Sequence, residues 1–122
     1  MNRQLSIYII GVLSFTVAAL ASCGSAEKSE RRGDAALALG EYAEAAGQYK
    51  RAYTQTPPKQ KAPRGRISLK MARAYAHYGN TSRAVGSYRN ALRYHAADST
   101  ATLELARALM KQGDPKAAEK LL

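Results

Sequence analysis

Small and apolar residues return along this chain at helical spacing, in segments that glycines interrupt. Gly33, Gly40, Tyr42, Ala45, Tyr49 and Ala52 make the first set. Ala72, Gly79, Ala84, Tyr88 and Ala91 make the second, and Ala106, Gly113, Ala118 and Leu122 the third. Apolar positions three and four apart place one stripe on each helix. A glycine between two stripes ends the first helix where a positive φ costs little. The turn glycines Gly79 and Gly113 stand 34 residues apart, whereas Gly40 and Gly79 are 39 apart. The pattern therefore predicts helical hairpins, the second delayed by a longer linker.

Taken in order, the first helix is expected from about Glu27 to Leu39 and the second from Glu41 or Tyr42 to about Thr54. Pro57 and Pro58 prevent its continuation. Lys59, Lys61, Ala62, Pro63 and Arg64 read either as an exposed basic loop or as an extra start to the next helix. The second hairpin should pair a helix from Gly65 or Arg66 to Tyr78 with one from Thr81 to Tyr94. Asp98-Ser99 offers N-cap chemistry for the third hairpin. Gly113-Asp114-Pro115 then stops one helix and starts another.

This period and its small-and-aromatic pattern resemble tetratricopeptide repeats, in which each repeat is a pair of antiparallel helices stacked on the next. The resemblance implies an all-α helical-hairpin solenoid of about two and a half repeats, at approximately 26–59, 65–98 and an incomplete 99–122. Gly33, Ala45 and Ala52 supply the small positions of the first repeat, and Tyr42 and Tyr49 its aromatics. Ser29 replaces the family's early tryptophan, Thr81 stands in a tyrosine position and Ala96 in a proline position. The final helix has only Pro115 to Leu122, with Leu122 where Tyr49 and Tyr88 stand in earlier repeats. Repeat stacks bury their faces against neighbours and need a polar cap. The expectation is thus the N-terminal part of a longer protein, with a truncated reading frame or completion by a partner as alternatives.

A different pattern occupies residues 1–22. Arg3 gives the start a positive charge, and Leu5 to Leu20 then run without a charged residue. A basic start, a short apolar stretch and small residues compose a secretory signal, and the run is shorter than the roughly 20 apolar residues of a bilayer span. Leu20-Ala21-Ser22-Cys23 resembles the lipobox of bacterial lipoproteins. That resemblance implies cleavage before Cys23, acylation of its thiol (a palmitate-type chain among them) and a short lipidated tether over 23–26. Gly24 in place of an aspartate leans towards the outer membrane. An uncleaved membrane helix and a plain secretory signal compete for the same run.

Charge changes the picture further. The 122 residues carry a formal +10, and no Asp or Glu occurs from Ala45 through Ala97. Tetratricopeptide proteins commonly hold extended peptides in the groove lined by the first helix of each repeat. By that register Arg66, Lys70, Arg73 and His77 should face the groove, with Arg107 and Lys111 beside them. Glu27, Glu30, Arg31 and Asp34 would line the first repeat's share. An acidic end and a basic end could orient a charged peptide. The asparagines of the family's carboxylate-clamp members are missing, so that ligand is not implied.

Nothing here suggests catalysis. His77 and His95 lie 18 residues apart on different helices, no nucleophile elbow or phosphate loop is present, and the single cysteine excludes a cysteine-rich metal site. No enzyme activity, metal or cofactor is expected. The lipobox, the Lys/Pro-rich linker, Met71-Ala72-Arg73-Ala74-Tyr75 and the Asn80-Thr81 turn are together similar to the N-terminal repeat module of OmpA-family lipoproteins, as in a type IX secretion component. The expected function is a lipid-anchored protein-interaction scaffold in the bacterial cell envelope, with a protein or peptide partner and no nucleic acid. A second expectation is a basic envelope protein that binds anionic polymer or lipid headgroups.

Overall fold

The structure, a computed structural model, describes residues 24–94, 96 and 98–122. The expected signal segment, Cys23 and His95 lie outside the described residues. Among the described residues six helices follow one another: α1 over 24–38, α2 Tyr42–Gln55, α3 Lys61–Tyr78, α4 Thr81–Arg93, α5 Ser99–Gln112 and α6 Pro115–Leu121. The three expected turn glycines all adopt positive φ, at 76° for Gly40, 92° for Gly79 and 85° for Gly113. At Gly79 the turn is closed twice, its own N–H and that of Asn80 both reaching back to the Tyr75 carbonyl. The next helix is capped at once by the Asn80 side chain, which accepts from the Arg83 N–H. Asp98 caps α5 through the Ala101 N–H, and Asp114 caps α6 through the Ala117 N–H.

Two helix starts differ from the sequence reading. α1 is already helical at Gly24, so residues expected as a tether belong to the first repeat. Ala26 and Ser29 are buried, and the Ser29 hydroxyl donates to Gln55 Oε1 at 2.8 Å. α3 begins at Lys61, one turn before the expected start, and tolerates Pro63 because the first turn needs no amide donor there. The basic segment before Gly65 is therefore the extra helical start rather than a loop. Arg64 is half-buried, not a free surface cation. It donates to the Thr56 carbonyl at 3.0 Å and to the hydroxyls of Tyr53 and Tyr94 at 3.3 Å. Its guanidinium also lies 4.4 Å from the Tyr53 ring centroid.

Packing arranges the helices in two rows. α1, α3 and α5 are joined side by side through ion pairs described below, and α2 meets α4 where Asn90 Nδ2 donates to Tyr53 Oη at 3.0 Å. The interior is built from alanine and tyrosine: Ala45, Ala52, Ala72, Ala84 and Ala91 are fully buried beside Tyr49 and Tyr88. Small residues let the helices come close, and tyrosines fill what remains. At the far side of α5 and α6, Leu103, Met110 and Leu122 stay exposed.

Candidate peptide groove

The row of α1, α3 and α5 carries the charges that the sequence places in a groove. Arg66 donates to both carboxylate oxygens of Glu30, at 3.1 and 3.0 Å. Lys70 lies between two acids of α1, 2.9 Å from Glu30 Oε1 and 2.9 Å from Asp34 Oδ1. On the other side of α3, Arg73 makes a two-pronged contact with Glu104 of α5, at 3.0 and 3.2 Å. The acidic first repeat and the basic second repeat thus neutralise each other across the helix row. The expected acidic and basic ends of an open groove are instead the two sides of inter-repeat ion pairs. Glu27 and Arg31 form only an exposed contact at 4.0 Å.

Two buried tyrosines complete these pairs. Tyr49 of α2 donates its hydroxyl to Asp34 at 2.7 Å, and Tyr88 of α4 donates to Glu104 at 2.9 Å. Each acid is therefore held by a tyrosine from the second row and a cation from α3. Burial first, and then the hydrogen bond to a carboxylate, push both phenols well above their usual range. The Arg66 contact, opposed by burial and aided by Lys70, holds the Glu30 carboxyl below its usual value. The Arg73 guanidinium is in turn held more firmly protonated by Glu104, against the opposing effect of burial.

Beyond Arg73 the groove opens. A cavity of about 350 Å³ lies among α3, α4 and α5, and Arg73, His77, Tyr88, Glu104, Arg107 and Lys111 line it. Ala76, Ala84 and Ala108 form its apolar portion. Arg107 and Lys111, one turn apart on α5, are exposed, and their side chains make no hydrogen bond or ion pair among the described residues. His77 stacks on Tyr42, with ring centroids 4.8 Å apart and an interplanar angle of 14°. Of the six expected groove residues, Arg73, His77, Arg107 and Lys111 are brought together here. Arg66 and Lys70 lie further along α3 and are committed to α1.

The sequence reading missed the ordering role of Glu104 and Tyr88. Both occupy helical positions that a single sequence does not pair, since 16 residues separate them. Arg73 is thereby fixed in place as a wall of the cavity, while Arg107 and Lys111 keep their charges available. Such an arrangement can take a carboxylate at the two free cations and a small apolar side chain on the alanines. Among the described residues no group of three His, Cys, Asp or Glu side chains could hold a metal ion.

Stacked helical hairpins with a charged groove define a repeat-type binding protein. Residues 24–59 and residues 79–122 each match a family described as tetratricopeptide repeat, and the chain is an all-α tetratricopeptide-repeat solenoid. Repeats of this kind act as protein–protein interaction scaffolds and are generally not enzymes. No curated protein matches the chain significantly.

Proposed function

We propose that the chain is a lipid-anchored scaffold of the bacterial cell envelope whose groove binds an acidic peptide segment of a protein partner. The observation that carries the ligand class is the cavity bounded by α3, α4 and α5, which Arg107 and Lys111 line without an ion pair among the described residues. The charge of Glu104 is already countered by Arg73, and Tyr88 takes a further acceptor site on it. The Leu20-Ala21-Ser22-Cys23 sequence supports the anchor, with Cys23 as the acylated residue and an outer-membrane, periplasm-facing position favoured by Gly24. Lipobox, linker and repeat order further support kinship with the repeat module of OmpA-family lipoproteins and a role in a secretion or envelope assembly.

Fluorescently labelled acidic and neutral peptides of equal length test the groove by anisotropy. The acidic peptide should bind more tightly. Reversing Arg107 and Lys111 to glutamate together should weaken it by about tenfold or more, which corresponds to about 1.4 kcal/mol. Equal affinity for the two peptides, or an unaffected double variant, overturns the ligand assignment. The anchor has a separate check: Cys23→Ala should abolish labelling with a radioactive fatty acid and release the chain from the membrane fraction. Labelling that persists in this variant rejects the lipobox reading.

A further inference from the structure

The cations that play no part in the groove are not scattered evenly. Each hairpin runs up through one helix and back through the next, so the N-termini of α1 and α3 share a pole with the C-termini of α2 and α4. Three contacts show this juxtaposition: Ser29 with Gln55, Arg64 with Thr56, and Arg64 with Tyr94. Gly65 fits so closely there that a Cβ would stand 2.6 Å from the Ala96 Cβ. On this pole or within about one turn of it lie Lys50, Arg51, Lys59, Lys61, Arg89 and Arg93, all exposed. None of these six side chains makes a hydrogen bond or ion pair among the described residues.

The opposite pole, where the tight turns lie, carries Glu41, Glu44 and Asp114 together with the cations Arg83, Lys111 and Lys116. Acids and cations thus balance at that pole, whereas cations are in excess at the first. Acids do occur near the basic pole, but they are engaged: Glu30 is paired with Arg66 and Lys70, Asp98 caps α5, and Glu27 lies 4.0 Å from Arg31. The free charge of this pole is therefore positive, and it comes from three separate elements, namely α2, the linker with the first turn of α3, and α4. Cations spread across adjacent helices suit an extended anionic surface better than a single small anion.

The position of α1 selects the surface. Gly24 is already helical, and it follows Cys23 directly in the sequence, one Cα step of about 3.8 Å away. An acyl chain on Cys23 would enter the bilayer at the pole that carries the six cations, with no spacer between lipid and repeat. We propose that this basic pole docks on an anionic phospholipid surface and orients the repeats against the membrane, leaving the groove cations on α5 free for a peptide. The proposal rests on the lipid-anchor reading for its geometry, while the affinity of the pole for anionic headgroups is separable from it. Each Lys or Arg near such a surface contributes about fivefold to partitioning, an effect that salt screens.

Vesicles of phosphatidylcholine, with and without phosphatidylglycerol, test the pole. The full chain bearing Cys23→Ala removes the acyl contribution, and the difference between the two vesicle types removes any apolar insertion common to both. Partitioning should favour phosphatidylglycerol and fall as salt rises. Reversal of Lys59 and Lys61 to glutamate should lower that preference by about tenfold or more, with helix content unchanged by circular dichroism. Lys116→Glu, beside the Asp114 turn, should leave it intact. Equal partitioning into both vesicles overturns the proposal, as does a preference insensitive to Lys59 and Lys61 or equally sensitive to Lys116. If Cys23 proves unacylated but the preference for phosphatidylglycerol persists, the anchor fails and the lipid-binding pole stands.

Discussion

Gly33 lies where α1 passes Tyr49, and the fit leaves no space for even one added carbon. A Cβ there would stand 2.6 Å from Tyr49 Cε1 and 2.7 Å from Cδ1. Tyr49 cannot yield easily, because its ring is fully buried and its hydroxyl is tied to Asp34. Gly33→Ala should therefore destabilise the protein by about 1–3 kcal/mol through overpacking. Gly47 provides the contrast, since it is helical, exposed and has nothing within 4 Å of a built Cβ. Gly47→Ala should be stabilising by up to about 1 kcal/mol through helix propensity alone. Urea unfolding of the two variants separates the effects, and a similar sign for both would contradict the packing account.

Among the elements, α3 is the one on which the molecule turns. Its 18 residues reach α1 through Arg66 and Lys70, α5 through Arg73, and the C-terminal ends of α2 and α4 through Arg64. These links have opposite pH limbs. Glu30 has a lowered carboxyl pKa, so its contribution is complete above the ordinary glutamate value of about 4.3 and disappears as pH falls through the lower folded value. Tyr49 and Tyr88 have raised phenol pKa values, so their contribution is complete below about pH 10 and disappears as pH rises beyond it. Lys70 acts in the same alkaline direction: burial opposes its charge, but Glu30 and Asp34 outweigh burial and raise its pKa. Thermal melts from pH 3 to 11 should show a plateau bounded by both losses. Glu30→Gln should lower stability by about 1–3 kcal/mol at pH 7 and flatten the acid limb, whereas Tyr49→Phe with Tyr88→Phe should flatten the alkaline limb. An acid limb unchanged by Glu30→Gln would remove this pair from the account.

At the scale of the whole molecule, charge is sorted by role. The pairs across α1, α3 and α5 are structural and internally balanced, the free cations of α5 border the cavity, and Lys50, Arg51, Lys59, Lys61, Arg89 and Arg93 collect at the pole where α1 begins. The assignment of groove residues changes accordingly: charge reversal at Arg73 would break the contact with Glu104 and disturb packing, so Arg107 and Lys111 are the better probes of ligand binding. The two proposed surfaces should also be independent. Reversal of Lys59 and Lys61 should leave acidic-peptide affinity within about twofold, and reversal of Arg107 and Lys111 should leave the preference for phosphatidylglycerol intact.

Local information was enough for the hairpins, because each depends on residues close in sequence. Gly40, Gly79 and Gly113 must carry positive φ wherever a helix stops so sharply, and Asp98, Asp114 and Asn80 cap the helix that follows within three residues. The alanine and tyrosine stripes likewise mark their own buried faces. Partnerships between helices were beyond such reasoning, since Glu30 and Arg66 are 36 residues apart and Arg73 and Glu104 are 31 apart. The same basic residues that read as an open groove become ion pairs once the rows close, because a charge on a helix face does not reveal which neighbour will meet it. Arg64 shows the same limit: only the approach of Tyr53 and Tyr94 turns a linker cation into a clasp. Sequence alone determined the repeat and its register, and the tertiary structure decided which charges are satisfied within the protein and which remain for a partner.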